Sequence, residues 1–248
     1  MSTTEVKLDT SPPAVPAEFR PRLRLGFGLC CVGLTLAVCL ELGAQLVPAL
    51  AAAPGGDASK LDSPPVNFGL ALTHLALQAV LVAGWVCLYI APVGSRWRAT
   101  SMALLAMGGA DVAMMIMNLA GADPFAVAVA RRLGMALVWI ELWLIAVLAA
   151  DAAEAVERSD ITYQTEITGL VIVFGAFAWL GAEIWGFNPV EWSQPSAAAT
   201  PDTIGFVLIV ATMILSVVVF VRTAVFSGQL AAALSPGGNE LPPSDAAA

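Results

Sequence analysis

Residues 133–155 read LGMALVWIELWLIAVLAADAAEA. From Leu133 to Ala150 the one charged residue is Glu141. A helix rises about 1.5 Å per residue and a bilayer's hydrocarbon core is about 30 Å thick, so roughly 20 such residues cross it. Inside lipid every backbone N–H and C=O must find its partner within the protein, so a lone apolar segment of this length is a helix, not a strand. The stretch ends in Asp151, Glu154, Glu157 and Asp160, where water returns.

Working outward, five more apolar stretches of spanning length occupy roughly 26–50, 67–91, 99–120, 165–187 and 203–227. Turn-forming residues separate them: Pro54-Gly55-Gly56 through Pro64-Pro65, Pro92-Val93-Gly94-Ser95, Asp123-Pro124, Arg158-Ser159-Asp160 and Asn188-Pro189, with Asp202 as N-cap of the last. The expectation is an all-α integral membrane protein, a six-helix transmembrane bundle over 25–228. A flexible tail (1–24) and a disordered tail (229–248) flank it.

Composition agrees. Of 248 residues 58% are hydrophobic and 12% charged, and the mean hydropathy is +0.82. That charge content is about half that of an average soluble domain, so the lipid bilayer is the expected surroundings. The net charge is −8 with 11 Lys and Arg, which leaves no basic surface for nucleic acid. Cys30, Cys31, Cys39 and Cys87 fall inside apolar stretches without a CxxC spacing and read as packing residues.

Lys and Arg concentrate on the cytoplasmic side of membrane proteins. An N-in, C-in arrangement puts Lys7, Arg20, Arg22, Arg24, Arg96, Arg98, Arg158 and Arg222 inside, and Lys60, Arg131 and Arg132 outside. Eight against three favours it, in a cytoplasmic-type membrane. Trp97 is expected at the inner boundary, Trp185 and Trp192 at the outer. Ala49 to Ala53 offers a small-residue cleavage site, but the run before it is long for a signal peptide and contains Glu41, so the first helix is expected to remain.

Ionisable groups in hydrocarbon are costly and mark partnership or function. With that topology, Glu41 lies about 22 Å and Asp111 about 20 Å from the inner end of their helices, and Glu141 about 13 Å and His74 about 12 Å from the outer surface, by the helical rise. The expectation is a slab of four groups at one depth in the outer half, with Glu183 shallower. Gln78 follows His74 by one turn, Gln45 follows Glu41 likewise, and Asn118 shares the face of Asp111 behind Gly108-Gly109. Carboxyls with an imidazole can hold and pass protons, since burial favours a carboxyl's neutral form. They can also ligate a cation through oxygen and imidazole nitrogen, although the spacing selects no metal. Arg131 and Arg132 are the candidate ion-pair partners of Glu141 or Asp111, and a purely structural role as interhelical hydrogen bonds is the competing reading.

The acids Asp151, Glu154, Glu157 and Asp160 read as a solvated end of the fourth helix, with Arg158 pairing to Glu154 at four residues; docking of a partner or a divalent cation is the alternative there. Thr212 and Ser216 read as hydroxyls bonded back to their own helix. One histidine cannot ligate haem from two sides, and Lys7 and Lys60 lie outside the spans, so a retinal Schiff base is excluded. No phosphate-binding, dinucleotide, zinc-protease or nucleophile-elbow motif occurs, and no cofactor is indicated. Two function classes remain. One is a small transporter or ion-coupled carrier acting through Glu41, His74, Asp111 and Glu141. The other is a non-catalytic accessory subunit packed against other membrane proteins. An enzyme is the weakest reading.

Overall fold

A computed structural model describes residues 15–51, 64–91, 95–120, 124–184 and 203–235, with some side chains inside the helices left out. Six α-helices follow in order: α1 (Arg20–Ala51), α2 (Pro64–Ile90), α3 (Ser95–Leu119), α4 (Pro124–Ala155), α5 (Ser159–Ile184) and α6 (Thr203–Ala233). All six are long and apolar enough to cross a membrane. The chain is therefore a multi-pass α-helical membrane protein, as its apolar stretches require. Several helices outrun those stretches: α1 starts at Arg20, α3 at Ser95 and α5 at Ser159, while α6 continues to Ala233.

Each helix packs on the next in sequence, α6 returns to α1, and α4 also reaches α6 across the bundle. With six spans among the described residues, the start of α1 and the end of α6 fall at one end of the bundle. We call this the terminal end, and the end where α1 meets α2 the far end.

Lipid tails are as apolar as Leu, so the helices are held by close packing rather than by escape from water. Glycine supplies the closeness. A Cβ on Gly26 would meet the Gly84 carbonyl at 3.0 Å, and a Cβ on Gly84 the Gly26 carbonyl at 3.0 Å, so α1 and α2 nearly touch backbone to backbone. On α3, Gly108 leaves the space that the Trp85 ring fills, and on α5, Gly175 does the same for Trp139. The α4 half nearest the terminal end carries Ala146, Ala149, Ala152 and Ala153, all buried.

Trp97 sits in the first turn of α3, and its side chain packs inward: it is buried, donates its indole N–H to the Leu88 carbonyl at 2.8 Å, and meets Phe27 edge-on with ring centroids 6.4 Å apart. It clamps α2 to α3 across their short connection. Trp185 and Trp192 lie outside the described residues.

The fourth helix also ends differently. It stops at Ala155, and Glu157 takes a left-handed φ of 58°. The Arg158 N–H bonds the Ala153 carbonyl at 2.9 Å and the Glu157 N–H the Glu154 carbonyl at 3.0 Å, the pair of bonds that closes a helix C-terminus. The acidic stripe is thereby split among three settings. Asp151 and Glu154 stay on α4, Glu157 is the cap, and Asp160 enters the first turn of α5, where an acid suits the helix dipole. Arg158 pairs with Asp160, by two hydrogen bonds of 2.8 and 2.7 Å, and not with Glu154, because the cap turns its side chain toward α5. Asp160 thus holds the Arg158 guanidinium above its ordinary pKa through that bond.

Candidate functional site

The interior of a bundle this apolar holds few polar side chains; two of them belong to the expected slab, and a third, Gln78, was expected one turn from it. Gln78 on α2 is 7% exposed, Asp111 on α3 8% and Glu141 on α4 6%. Asp111 is within electrostatic range of His74 on α2 and of Glu141 on α4. Three helices thus deliver two carboxyls and an imidazole to one region. Glycine again allows it: a Cβ on Gly134 would stand 3.3 Å from the Asp111 Oδ1, so the bare Gly134 backbone gives that carboxyl its place against α4.

This contact corrects the geometry of the slab. Gly134 is level with Asp111, and Glu141 follows Gly134 by two turns, so its backbone lies about 10 Å nearer the terminal end. Side chains lean toward the N-terminus of their own helix. The Glu141 carboxyl therefore leans back toward Asp111, and Asp111 toward it. Gln78 is displaced from His74 in the same direction by about 6 Å, one turn. The groups form a staggered ladder, not a single layer. Depths counted from helix ends missed this because α4 runs to Pro124, well beyond the arginines used as its marker.

Glu41 follows from the register of α1 on α2. Gly26 opposes Leu88, Gly84 opposes Cys30, and Gly33 opposes Leu81. Continued along both helices, this register sets the Glu41 backbone level with Thr73, next to His74. The side chains of Glu41, Asn118, Arg131, Arg132 and Glu183 lie outside the described residues, and so does Asp202. Among the described residues, Asp111 and Glu141 have no Lys or Arg within ion-pair distance.

Two atoms of the ladder, Gln78 Nε2 and Glu141 Oε1, are buried without a hydrogen-bond partner. An orphaned polar atom in a dry interior costs about 1–3 kcal/mol; Trp85, Trp179, Thr223, Ser227 and Gln229 also carry one among the described residues. Among the described residues no set of three or more His, Cys, Asp and Glu has the geometry to hold a metal ion.

The remaining expectations sort readily. Thr212 and Ser216 bond to the carbonyls of Leu208 and Thr212, each at 2.8 Å, as read from their spacing. The acids near the α4–α5 turn do not converge. Asp151 lies 4.0 Å from Arg96, Asp160 is taken by Arg158, and Glu154 and Glu157 line an open cleft of about 470 Å³ with Thr162, Tyr163 and Glu166.

Arg222 has a setting that the sequence did not single out. Counted as an end-of-helix charge, it lies inside the apolar window of α6, with Ala233 about 16 Å further on by the helical rise. Its Nε donates to Thr168 Oγ1 at 3.0 Å, and Nη2 to the Gln164 carbonyl at 3.5 Å. Thr168, fully buried, donates in turn to the Gln164 carbonyl at 2.7 Å.

The fold and the ladder define a small polytopic helical membrane protein with an acidic interior. Among known proteins, no family model, no curated relative and no solved structure matches the chain.

Proposed function

We propose that the chain is a small carrier whose interior ladder, His74, Gln78, Asp111 and Glu141, exchanges a proton or a small cationic or hydrogen-bonding ligand. One observation carries this: two carboxyls in range of each other, one of them also in range of an imidazole, are buried without Lys or Arg neutralisation among the described residues, and Glu141 Oε1 and Gln78 Nε2 stand unpartnered. Structure built only for cohesion would pair its polar atoms, since half-satisfied polar groups weaken a bundle. In the chemistry envisaged, Asp111 and Glu141 hold the proton or positive charge in turn, His74 accepts or returns it toward the far end, and Gln78 orients the ligand. The N-in, C-in orientation, carried by the eight-to-three distribution of Lys and Arg, would place His74 toward the outside.

The test is Asp111→Asn and Glu141→Gln, which keep shape and remove the ionisable group. Both variants should fold, with unchanged helix content and elution in detergent. The wild type should show an infrared carboxylic-acid band whose intensity changes with pH, and either variant should lose that change. If the acids serve only as neutral hydrogen-bond donors, the amides should replace them at a cost of about 1 kcal/mol. In that case no band titrates in the wild type, and the carrier reading fails.

The accessory-subunit reading rests on a different observation. The exposed face of α3 carries Ala99, Ala103, Ala106, Ala110 and Ala113 at alternating spacings of four and three. Small residues at that period admit a neighbouring helix. Isolation as a stoichiometric complex, disrupted by Ala106→Leu, would favour this second reading.

A further inference from the structure

We propose that Arg222 is a binding site for the phosphate of a phospholipid headgroup, held in the groove between α5 and α6. A guanidinium inside an apolar span demands a counter-charge or a route to the interface. Arg222 has no carboxylate within ion-pair distance among the described residues. Instead its position is fixed by α5. The Thr168 hydroxyl, oriented by its own bond to the Gln164 carbonyl, accepts from Nε, and the same carbonyl accepts from Nη2. Both hydrogen bonds join α6 to α5, so the guanidinium is built in rather than free to wander.

The arrangement leaves one edge open. Arginine has five N–H donors in a planar fork; α5 takes one from Nε and one from Nη2, and three remain. Gln164 lies one turn nearer the α4–α5 turn than Thr168, so the Nη end of the fork points toward that end of the bundle. Side-chain exposure there is intermediate and borders the outward residues Val218, Val221 and Val225, so the open edge meets lipid, not the bundle interior. The first turns of α5 mark that level as interfacial: Asp160, Thr162, Tyr163, Gln164 and Glu166 are polar and mostly exposed, unlike the rest of the helix. Glu166, the acid on α5 nearest Thr168, is exposed and lines the separate cleft beside Glu154 and Glu157. A phosphate matches the fork in shape and charge, and arginine binds it through paired hydrogen bonds. A phospholipid supplies it from the side the edge faces.

The test uses the full chain purified in a neutral detergent. Dioleoyl phosphatidylglycerol should raise the midpoint of thermal unfolding in a saturable manner, and dioleoylglycerol, which has the same chains and no phosphate, should not. Arg222→Gln should abolish the difference between the two lipids, Arg222→Lys should keep part of it, and Thr168→Val should weaken it. If Arg222→Gln does not fold, the wild-type comparison of the two lipids still decides. Equal effects of both lipids overturn the proposal, and so does stabilisation by inorganic phosphate alone at equal strength, which would assign a free anion. An unchanged lipid difference in Arg222→Gln also overturns it.

Discussion

Trp85 and Trp139 each fill the space where a neighbouring helix has no side chain. The prediction at this scale contrasts two adjacent positions. Gly108→Ala places a methyl where the Trp85 ring lies and should cost about 1–3 kcal/mol, the usual range for overpacking. Gly109→Ala, with nothing within 4 Å, should leave stability unchanged within about 0.5 kcal/mol. Thermal unfolding of the two variants in one detergent checks both. The sequence showed both tryptophans and both glycines but not their pairing, which depends on helix rotation that no periodicity in so uniformly apolar a chain reveals. The candidate site was legible to the same extent. Asp111, Glu141, Gln78 and His74 announced themselves as polar residues in hydrocarbon, whereas the two-turn stagger between Asp111 and Glu141 followed only from the contact at Gly134. Arg222 was hidden because a charge near the end of an apolar stretch looks like its boundary, and the helix continues past it.

At the level of elements, the α4–α5 turn carries the clearest strain. Glu157 adopts a left-handed backbone that glycine takes freely and other residues only at a cost. Glu157→Gly should therefore stabilise the protein, by up to about 1 kcal/mol. Glu157→Ala, which keeps the strain, should not; a rise in unfolding midpoint for glycine alone is the expected result. The sequence expected the break at Arg158 to Asp160, whereas α4 stops at Ala155 and α5 already begins at Ser159, and it could not assign each acid to its helix. A charge stripe with a period of three looks continuous until a capping residue bends the chain.

For the molecule as a whole, the six helices and their order were readable from hydropathy, because the bilayer fixes the length of each span and forbids unpaired backbone. The orientation rests on the basic residues and makes its own prediction. Single cysteines introduced at Gly56 and Gln194 should react with an impermeant maleimide from outside, and those at Ser95 and Ser235 should not. Outside labelling at Ser95 would reverse the assignment.

The contact between α6 and α1 has a bearing on biogenesis. Chains are made from the N-terminus, and α2 through α5 can each dock on a helix already in the membrane. The face of α1 that receives α6, where Cys31 stands 3.1 Å from the Cβ position of Gly228, has no such neighbour until α6 is made. A nascent intermediate that ends before Thr203 therefore exposes one flank of its first helix to lipid or to an insertion chaperone. With the other cysteines replaced, Cys31 in that truncated chain should be alkylated by a membrane-permeant maleimide several-fold faster than in the finished protein. Equal rates would mean that the ring does not close last.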